Sequence, residues 1–361
     1  MKSKTIGIMT TGGDCSGLNT AIHRLVRGAM IRGWRVIGIQ DGTDGLCTTP
    51  PQIIKFDWDT LPTECARMAG SFLHNGHPGA LNFETAATSG RLAHFNRRLK
   101  KSLRDLGLDA LVLIGGNGSI SLAWCNRDIS QDVQLICIPK TIDMDIPLTC
   151  RTIGFDTAVQ QLTTFCDQLM LTARSHHRWF VVQTMGRDCG QLALHAGVAI
   201  GATAILIPEI KFDVNELVSH INKSHQDYGI ILVSEGISLR GHSGRPADMI
   251  SRKLTASGII NRTAYPEHTQ RVGDTTANDR ILATRMADCA LNAIENNETY
   301  VMTAINDCEC KTVSLSDFFD AGYVSADPNI PDVMTSDAFV APDDSLLQIA
   351  RNLGIYIGTE K

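Results

Sequence analysis

Two aspartates stand two residues apart in Pro139-Lys-Thr-Ile-Asp-Met-Asp145, directly after the apolar run Gln134-Leu-Ile-Cys-Ile138. A strand that ends in Asp-x-Asp is expected to aim both carboxylates from one face into the space beyond its carboxyl edge. One carboxylate can take a proton from an alcohol while the other holds a divalent cation. Two glycine-rich strand ends, Thr10-Thr-Gly-Gly-Asp-Cys-Ser-Gly17 and Ile114-Gly-Gly-Asn-Gly-Ser119, have the chemistry of phosphate cradles. Their glycines let backbone N–H groups approach an anion, and a following helix adds the positive end of its dipole. Neither matches the Gly-x-Gly-x-x-Gly of a dinucleotide fold or a Walker loop, which makes a nicotinamide dehydrogenase remote. Met185-Gly-Arg187 follows another apolar run and offers a guanidinium where a transferring phosphate needs a clamp. Arg262, His268 and Arg271 form a further basic cluster with only Glu267 interleaved, which reads as phosphate binding spaced through a loop. Together these features point to phosphoryl transfer.

Short apolar strands alternating with amphipathic helices would position these groups. Thr5–Met9, Arg35–Ile39, Ala110–Ile114 and Leu135–Ile138 read as strands, with helices over Leu18–Met30 and Arg91–Leu106. The rhythm restarts after residue 155, with strands at Trp179–Gln183, Ala204–Ile207 and Ile230–Ser234 and helices at Ala158–Ala173, Leu192–Ile200 and Val214–His220. It implies right-handed βαβ units and mainly parallel sheets in two Rossmann-like, doubly wound α/β lobes with a crevice between them. The expected division is residues 1–153 plus 272–325 as a larger lobe, 154–271 as a smaller lobe, and 326–361 as an irregular tail. A helix over Asp279–Asn297 would return to the first lobe, and Tyr300–Val313 reads as a hairpin turning at Asn306-Asp307.

At 361 residues the chain can form two full cores, and a net charge of −5 gives no reason to expect a nucleic-acid partner. No apolar run approaches a membrane span and no signal-peptide pattern opens the chain, so a cytoplasmic location is expected. The eleven cysteines lack framework spacing and read as reduced core thiols. Cys308-Glu-Cys310 reads as a turn, because it lacks the spacer of a metal pair. His176-His177 likewise reads as a non-metal pair.

The segments Gly12-Gly-Asp14, Gly115-Gly-Asn-Gly-Ser119, Pro139–Asp145, Thr152-Ile-Gly-Phe-Asp156, Ser175-His-His-Arg178, Met185-Gly-Arg187, Ser234-Glu-Gly236 and Gln270-Arg271 resemble the phosphofructokinase A family, in its order and at its spacings. The resemblance implies two lobes, with a phosphoryl donor on the larger and fructose 6-phosphate on the smaller. It makes Asp143 the general base for the sugar 1-hydroxyl, with Thr141 and Asp145 at the reacting centre and Arg187 on the transferring phosphate. Met185 and Gly186 would line the sugar and Glu235 would accept from its hydroxyls; Arg178, Arg262, His268 and Arg271 would cage its 6-phosphate. Gly12, Gly13, Gly116, Asn117, Gly118, Ser119 and Lys140 would meet the donor, and Asn117 with Asp145 would hold Mg2+. Two cage arginines come from a neighbouring subunit in the family, which implies a homodimer or homotetramer with shared sites.

The donor end departs from the family pattern. Asn117 stands where a metal-binding aspartate is usual. Gly118 leaves room for the α-phosphate of ATP, whereas Lys140 is a feature of pyrophosphate users and of one branch of ATP enzymes. His77 replaces an expected arginine, and the aromatic residue expected near Asp41-Gly-Thr43 is missing. Thr203 replaces an effector-site acid, so little regulation by a nucleoside diphosphate is expected. The resulting expectation is an ATP-dependent 6-phosphofructokinase. A pyrophosphate-dependent enzyme, with sedoheptulose 7-phosphate as a possible second acceptor, is the first alternative, and a catalytically silent sugar-phosphate-binding paralogue the second.

Overall fold

The computed structural model describes residues 3–61, 63–76, 91–125, 127, 132–237, 244–322 and 340–358. In chain order these form β1 (Thr5–Thr10), α1 (Leu18–Ile31), β2 (Arg35–Ile39), α2 (Gly42–Leu46), β3 (Ile53–Phe56), α3 (Arg91–Asp105), β4 (Ala110–Gly115), α4 (Asn117–Cys125), β5 (Gln134–Thr141) and β6 (Ile153–Gly154). There follow α5 (Phe155–Ser175), β7 (Trp179–Thr184), α6 (Gln191–Ala199), β8 (Ala204–Leu206), α7 (Val214–Lys223), β9 (Gly229–Ser234), α8 (Pro246–Ala256) and β10 (Asn261–Ala264). A 3-10 turn over Glu267–Arg271 precedes α9 (Ala277–Glu295), β11 (Val301–Asn306), β12 (Glu309–Ser314), α10 (Leu315–Gly322) and α11 (Ser345–Asn352).

The first unit comprises Met1–Thr141, Ile146–Gly154 and Asp274–Ser336. Among the described residues its sheet runs β12-β11-β5-β4-β1-β2-β3, with β6 on β5. The inner strands are parallel, and β3 and β12 add antiparallel edges. β1 and β4 are buried along their whole lengths, which is why they read as unbroken apolar runs rather than alternating ones. One face packs Met9, Leu111, Leu113 and Leu135 against Leu99 and Leu103 of α3 and Phe318 of α10. A Cβ on Gly28 of α1 would sit 2.4 Å from Leu291 Cδ1 of α9, so the glycine makes room for that leucine where the two helices pack.

The second unit comprises Ile142–Asp145, Phe155–Gly273 and Asp337–Lys361, around the parallel sheet β10-β7-β9-β8. Trp179, Val181, Ile231 and Val233 pack against Leu217 of α7 and Ile250 of α8. A separate cluster joins Ala193, Leu194, Ile205 and Ile207 to Val340, Leu347, Ala350, Ile355 and Ile357. The expected irregular tail therefore contains, within 340–358, the helix Ser345–Asn352 and its own share of core. Tyr356 also covers the β8 edge, donating its N–H to Thr203 and accepting from Ile205 N–H at 2.8 Å. That pairing caps an edge strand that would otherwise be open.

The hairpin forms with Asp307 and Cys308 as its two turn residues, both in the left-handed region, one position later than the sequence suggested. No helix among the described residues is long and apolar enough to cross a membrane.

Candidate functional site

In the first unit the glycine-rich ends meet because β1, β4 and β5 are neighbours in parallel register, with Thr10 opposite Ile114 and Gly115 opposite Pro139. Gly12, Gly13, the Gly116–Ser119 turn, Lys140 and Thr141 therefore share one carboxyl edge. The Thr11 hydroxyl donates to Ser119 Oγ at 2.5 Å, and Thr11 N–H donates to Ile114 O at 3.1 Å, locking the two turns together. A side chain at Gly115 would meet Ser119 Oγ at 2.1 Å. Lys140 is 2 % exposed, and its ammonium donates to the Gly13 carbonyl. A buried ammonium beside exposed glycine N–H groups at a helix start is anion-binding chemistry. Nothing lies within 4 Å of a Cβ placed on Gly118, so that position is open. Asn117 begins α4, and the Thr152 hydroxyl fixes Thr141 by donating to its carbonyl at 2.8 Å. His77 lies outside the described residues.

Asp143 and Asp145 belong to the second unit and are 5 % and 7 % exposed. The strand ends at Thr141, and Met144 takes a left-handed φ of 54°. The expectation that strand alternation would align the two carboxylates is thus corrected: a tight bend, not a pleat, orients them. Both lie close to the loop after β7. Burial pushes the Cys189 thiol up, and the carboxylates of Glu209, Asp145 and Asp143 add to that shift.

That loop carries Met185, Gly186 and Arg187. Gly186 has φ 129° and Arg187 φ 52°, so the chain reverses sharply as it leaves the sheet. Two contacts hold it: Arg187 N–H donates to Glu235 Oε1 at 2.9 Å, and Met185 N–H donates to Gln270 Oε1 at 3.2 Å. His268 and Arg271 share the 3-10 turn with Gln270, so they belong to the same carboxyl edge of β7 and β9. Arg187 and His268 are exposed, and Arg271 is half-buried.

Arg178 and Arg262 do not join this group. Arg178 precedes β7, and Arg262 lies opposite Phe180 on the edge strand β10 rather than in a loop. At about 3.3 Å per residue, Arg178 stands about 23 Å along the strand from Met185. Arg178 Nε is buried without a hydrogen-bond partner among the described residues.

Glu209, not singled out from the sequence, braces the segment that follows the Arg187 loop. Its carboxylate accepts from Gly190 N–H at 2.7 Å and from Val340 N–H at 3.2 Å, tying the loop after Arg187 to the C-terminal segment. Burial pushes its pKa above the usual carboxylate range, and the backbone donors partly offset that. Only its place after a strand, in Ile207-Pro-Glu209, could have drawn notice.

No group of three or more metal-ligating side chains occurs among the described residues. Magnesium needs no such cage, since it commonly takes one or two carboxylates and completes its shell with phosphate and water. In the second unit Asp145 has the chemistry for such a role; in the first unit Asn117 offers only a neutral oxygen.

A family model described as Phosphofructokinase matches residues 5–294. An ATP-dependent 6-phosphofructokinase 1 of Nostoc sp. is 36% identical, the match covering 99% of each chain. An ATP-dependent 6-phosphofructokinase of Chloroflexus aurantiacus is 34% identical over 99% of each. A solved phosphofructokinase of Saccharomyces cerevisiae superposes with TM-score 0.77 and 26% identity over 88% of this chain, which spans 46% of the yeast chain. A pyrophosphate-dependent phosphofructokinase of Nitrosospira multiformis shares the fold, with TM-score 0.79 and 17% identity over 100% of this chain and 93% of that one.

Proposed function

The chain belongs to the phosphofructokinase family, and from that premise we propose that it is a 6-phosphofructokinase, moving the terminal phosphoryl group of ATP to the 1-hydroxyl of fructose 6-phosphate. The observation that carries this reading is the end-to-end likeness to enzymes named ATP-dependent 6-phosphofructokinase.

In this reading Asp143 accepts the proton of the 1-hydroxyl as its oxygen attacks. A buried carboxylate suits that task, because little else covalent is asked of the protein in phosphoryl transfer. Arg187 meets charge on the transferring group, a contribution of about 3–4 kcal/mol by analogy with other preorganised donors. Its backbone contact with Glu235 supports the assignment, since one carboxylate would then set both the sugar and the clamp. Thr141 sits between the donor edge and Asp143 in sequence, and Met185 and Gly186 line the sugar. On the donor side Gly12, Gly13, Gly116, Asn117, Gly118, Ser119 and Lys140 receive the phosphates, and the open position at Gly118 favours ATP. Mg2+ held by Asp145, with Asn117 as a weaker ligand, would neutralise charge on the donor phosphates.

His268 and Arg271 grip the 6-phosphate. Arg178 and Arg262 stand too far along the sheet to do so within one chain, which supports a homodimer or homotetramer whose neighbour completes the cage. A cytoplasmic location is part of the same proposal. The buried Lys140 favours pyrophosphate as a second donor reading. Initial rates with fructose 6-phosphate, run in parallel with ATP and with pyrophosphate, separate the two. Turnover with ATP is expected; turnover with pyrophosphate alone would overturn the donor assignment, and none with either would leave a sugar-phosphate binder. Sedoheptulose 7-phosphate is the acceptor to try next.

A further inference from the structure

Cys308-Glu-Cys310, read from sequence as a plain turn, is half of a different arrangement. Cys310 lies in β12 opposite Ile305, and the hairpin packs on α9, which carries Cys289. Both cysteines are free and half-buried, and they line one cavity of about 630 Å³ with Arg285, Asp288, Cys308 and Lys311. Cys308 and Lys311 are exposed at that cavity, so a solute can reach it. Arg285 Nη1 donates to the Cys308 carbonyl at 3.2 Å and holds the hairpin tip to the helix.

Cys289 on α9 and Cys310 on β12 come together at the cavity where that helix packs on the hairpin. That contact pulls the Cys289 thiol below its ordinary value and pushes Cys310 well above. The buried thiols behave differently: burial alone raises Cys65 to about 11 and Cys137 to about 12. A thiolate-prone cysteine, an adjacent second thiol and an open cavity are the three requirements of a reactive pair, and core cysteines meet none of them.

We propose that Cys289 and Cys310 form a thiol–disulfide exchange site that takes a small soluble disulfide, closing to a bond between α9 and β12. The Cys289 thiolate attacks one sulfur of the disulfide, forming a mixed disulfide and expelling one small thiolate. Cys310 then gives up its proton, and its sulfur attacks Cys289 Sγ, expelling the second small thiol. The protein pair is oxidised by two electrons, and the small disulfide is reduced to two thiols.

The full chain is incubated with excess oxidised glutathione, remaining thiols are alkylated, and the protein is cut at glutamates. Cleavage after Glu295, Glu298 and Glu309 separates all three cysteines. Mass spectrometry is expected to find the Cys289 peptide joined to the peptide beginning at Cys310, with the link lost on adding dithiothreitol. Cys308→Ser should leave the link intact, and Cys289→Ser should abolish it. Cys289 that stays alkylatable, ends as a lasting glutathione adduct, or joins Cys308 instead would overturn the proposal. The unsubstituted chain alone distinguishes these outcomes, whether or not the variants fold.

Discussion

Gly236→Ala puts the proposed clamp under direct mechanical test. A Cβ on Gly236 would stand 2.1 Å from the Arg187 carbonyl oxygen and 3.0 Å from both Arg187 C and Asp188 Cα. The 2.1 Å approach is 1.3 Å short of an ordinary 3.4 Å contact, and every atom it meets is backbone. No side chain can swing away, so the Arg187 loop must move by about an ångström. The 2.9 Å bond from Arg187 N–H to the adjacent Glu235 would loosen with it. A misplacement of that size costs about 10²-fold in rate, equivalent to about 2.7 kcal/mol of barrier. Overpacking costs about 1–3 kcal/mol of stability, less than a typical total of about 5–15 kcal/mol, so the variant should stay folded while losing turnover. The assay is kcat and KM for fructose 6-phosphate, with far-ultraviolet circular dichroism and a thermal scan on the same preparation. A folded Gly236→Ala enzyme with kcat and KM within about twofold of the parent would refute the link between this loop and catalysis.

Gly118→Asp should fold normally, since its Cβ enters open space, yet lose most turnover with ATP; unchanged ATP kinetics would remove Gly118 from the donor site. Glu209→Gln tests the half-buried carboxylate that ties the segment after Arg187 to the C-terminal segment. Its folded pKa is raised, so its contribution is complete below the unfolded value and is lost as pH rises through the folded one. Urea midpoints from acid to neutral pH should therefore show the parent falling relative to the Gln variant; a constant difference would contradict the assignment. Co-expressed Asp143→Asn and Arg262→Ala chains should recover activity that neither shows alone, because a two-fold mixed dimer keeps one intact composite site. Mixed oligomers as inactive as the parents would place the whole cage within one chain.

The strands legible in the sequence were those buried on both faces. Thr5–Thr10, Ala110–Gly115 and Gly229–Ser234 are buried along their whole lengths and mainly apolar, because neighbouring strands pair with both edges and packed elements cover both faces. β10 escaped notice because Asn-Arg-Thr-Ala is polar and sits at an edge, where pairing rather than burial makes the strand. The bend at Asp143–Asp145 could not be read either, since nothing in methionine announces a left-handed backbone. Glycine-rich ends were visible as ligand chemistry, and the sheet order supplied what spacing could not, by setting β1, β4 and β5 side by side. The C-terminal helix was obscured by the prolines around it. Its apolar residues Leu347 and Ala350 are explained only by the core of the second unit that they fill. Cys289 and Cys310 carry no common motif, because their pairing depends on a helix and a hairpin packing together.

The most direct measurement is the turnover of Asp143→Asn beside its affinity for fructose 6-phosphate by calorimetry. Removal of a general base should lower kcat by about 10²–10⁴-fold while leaving sugar affinity within a few-fold, as a buried carboxylate that acts on the alcohol rather than on binding requires. A folded variant that keeps its turnover would contradict the assignment of this aspartate as the base.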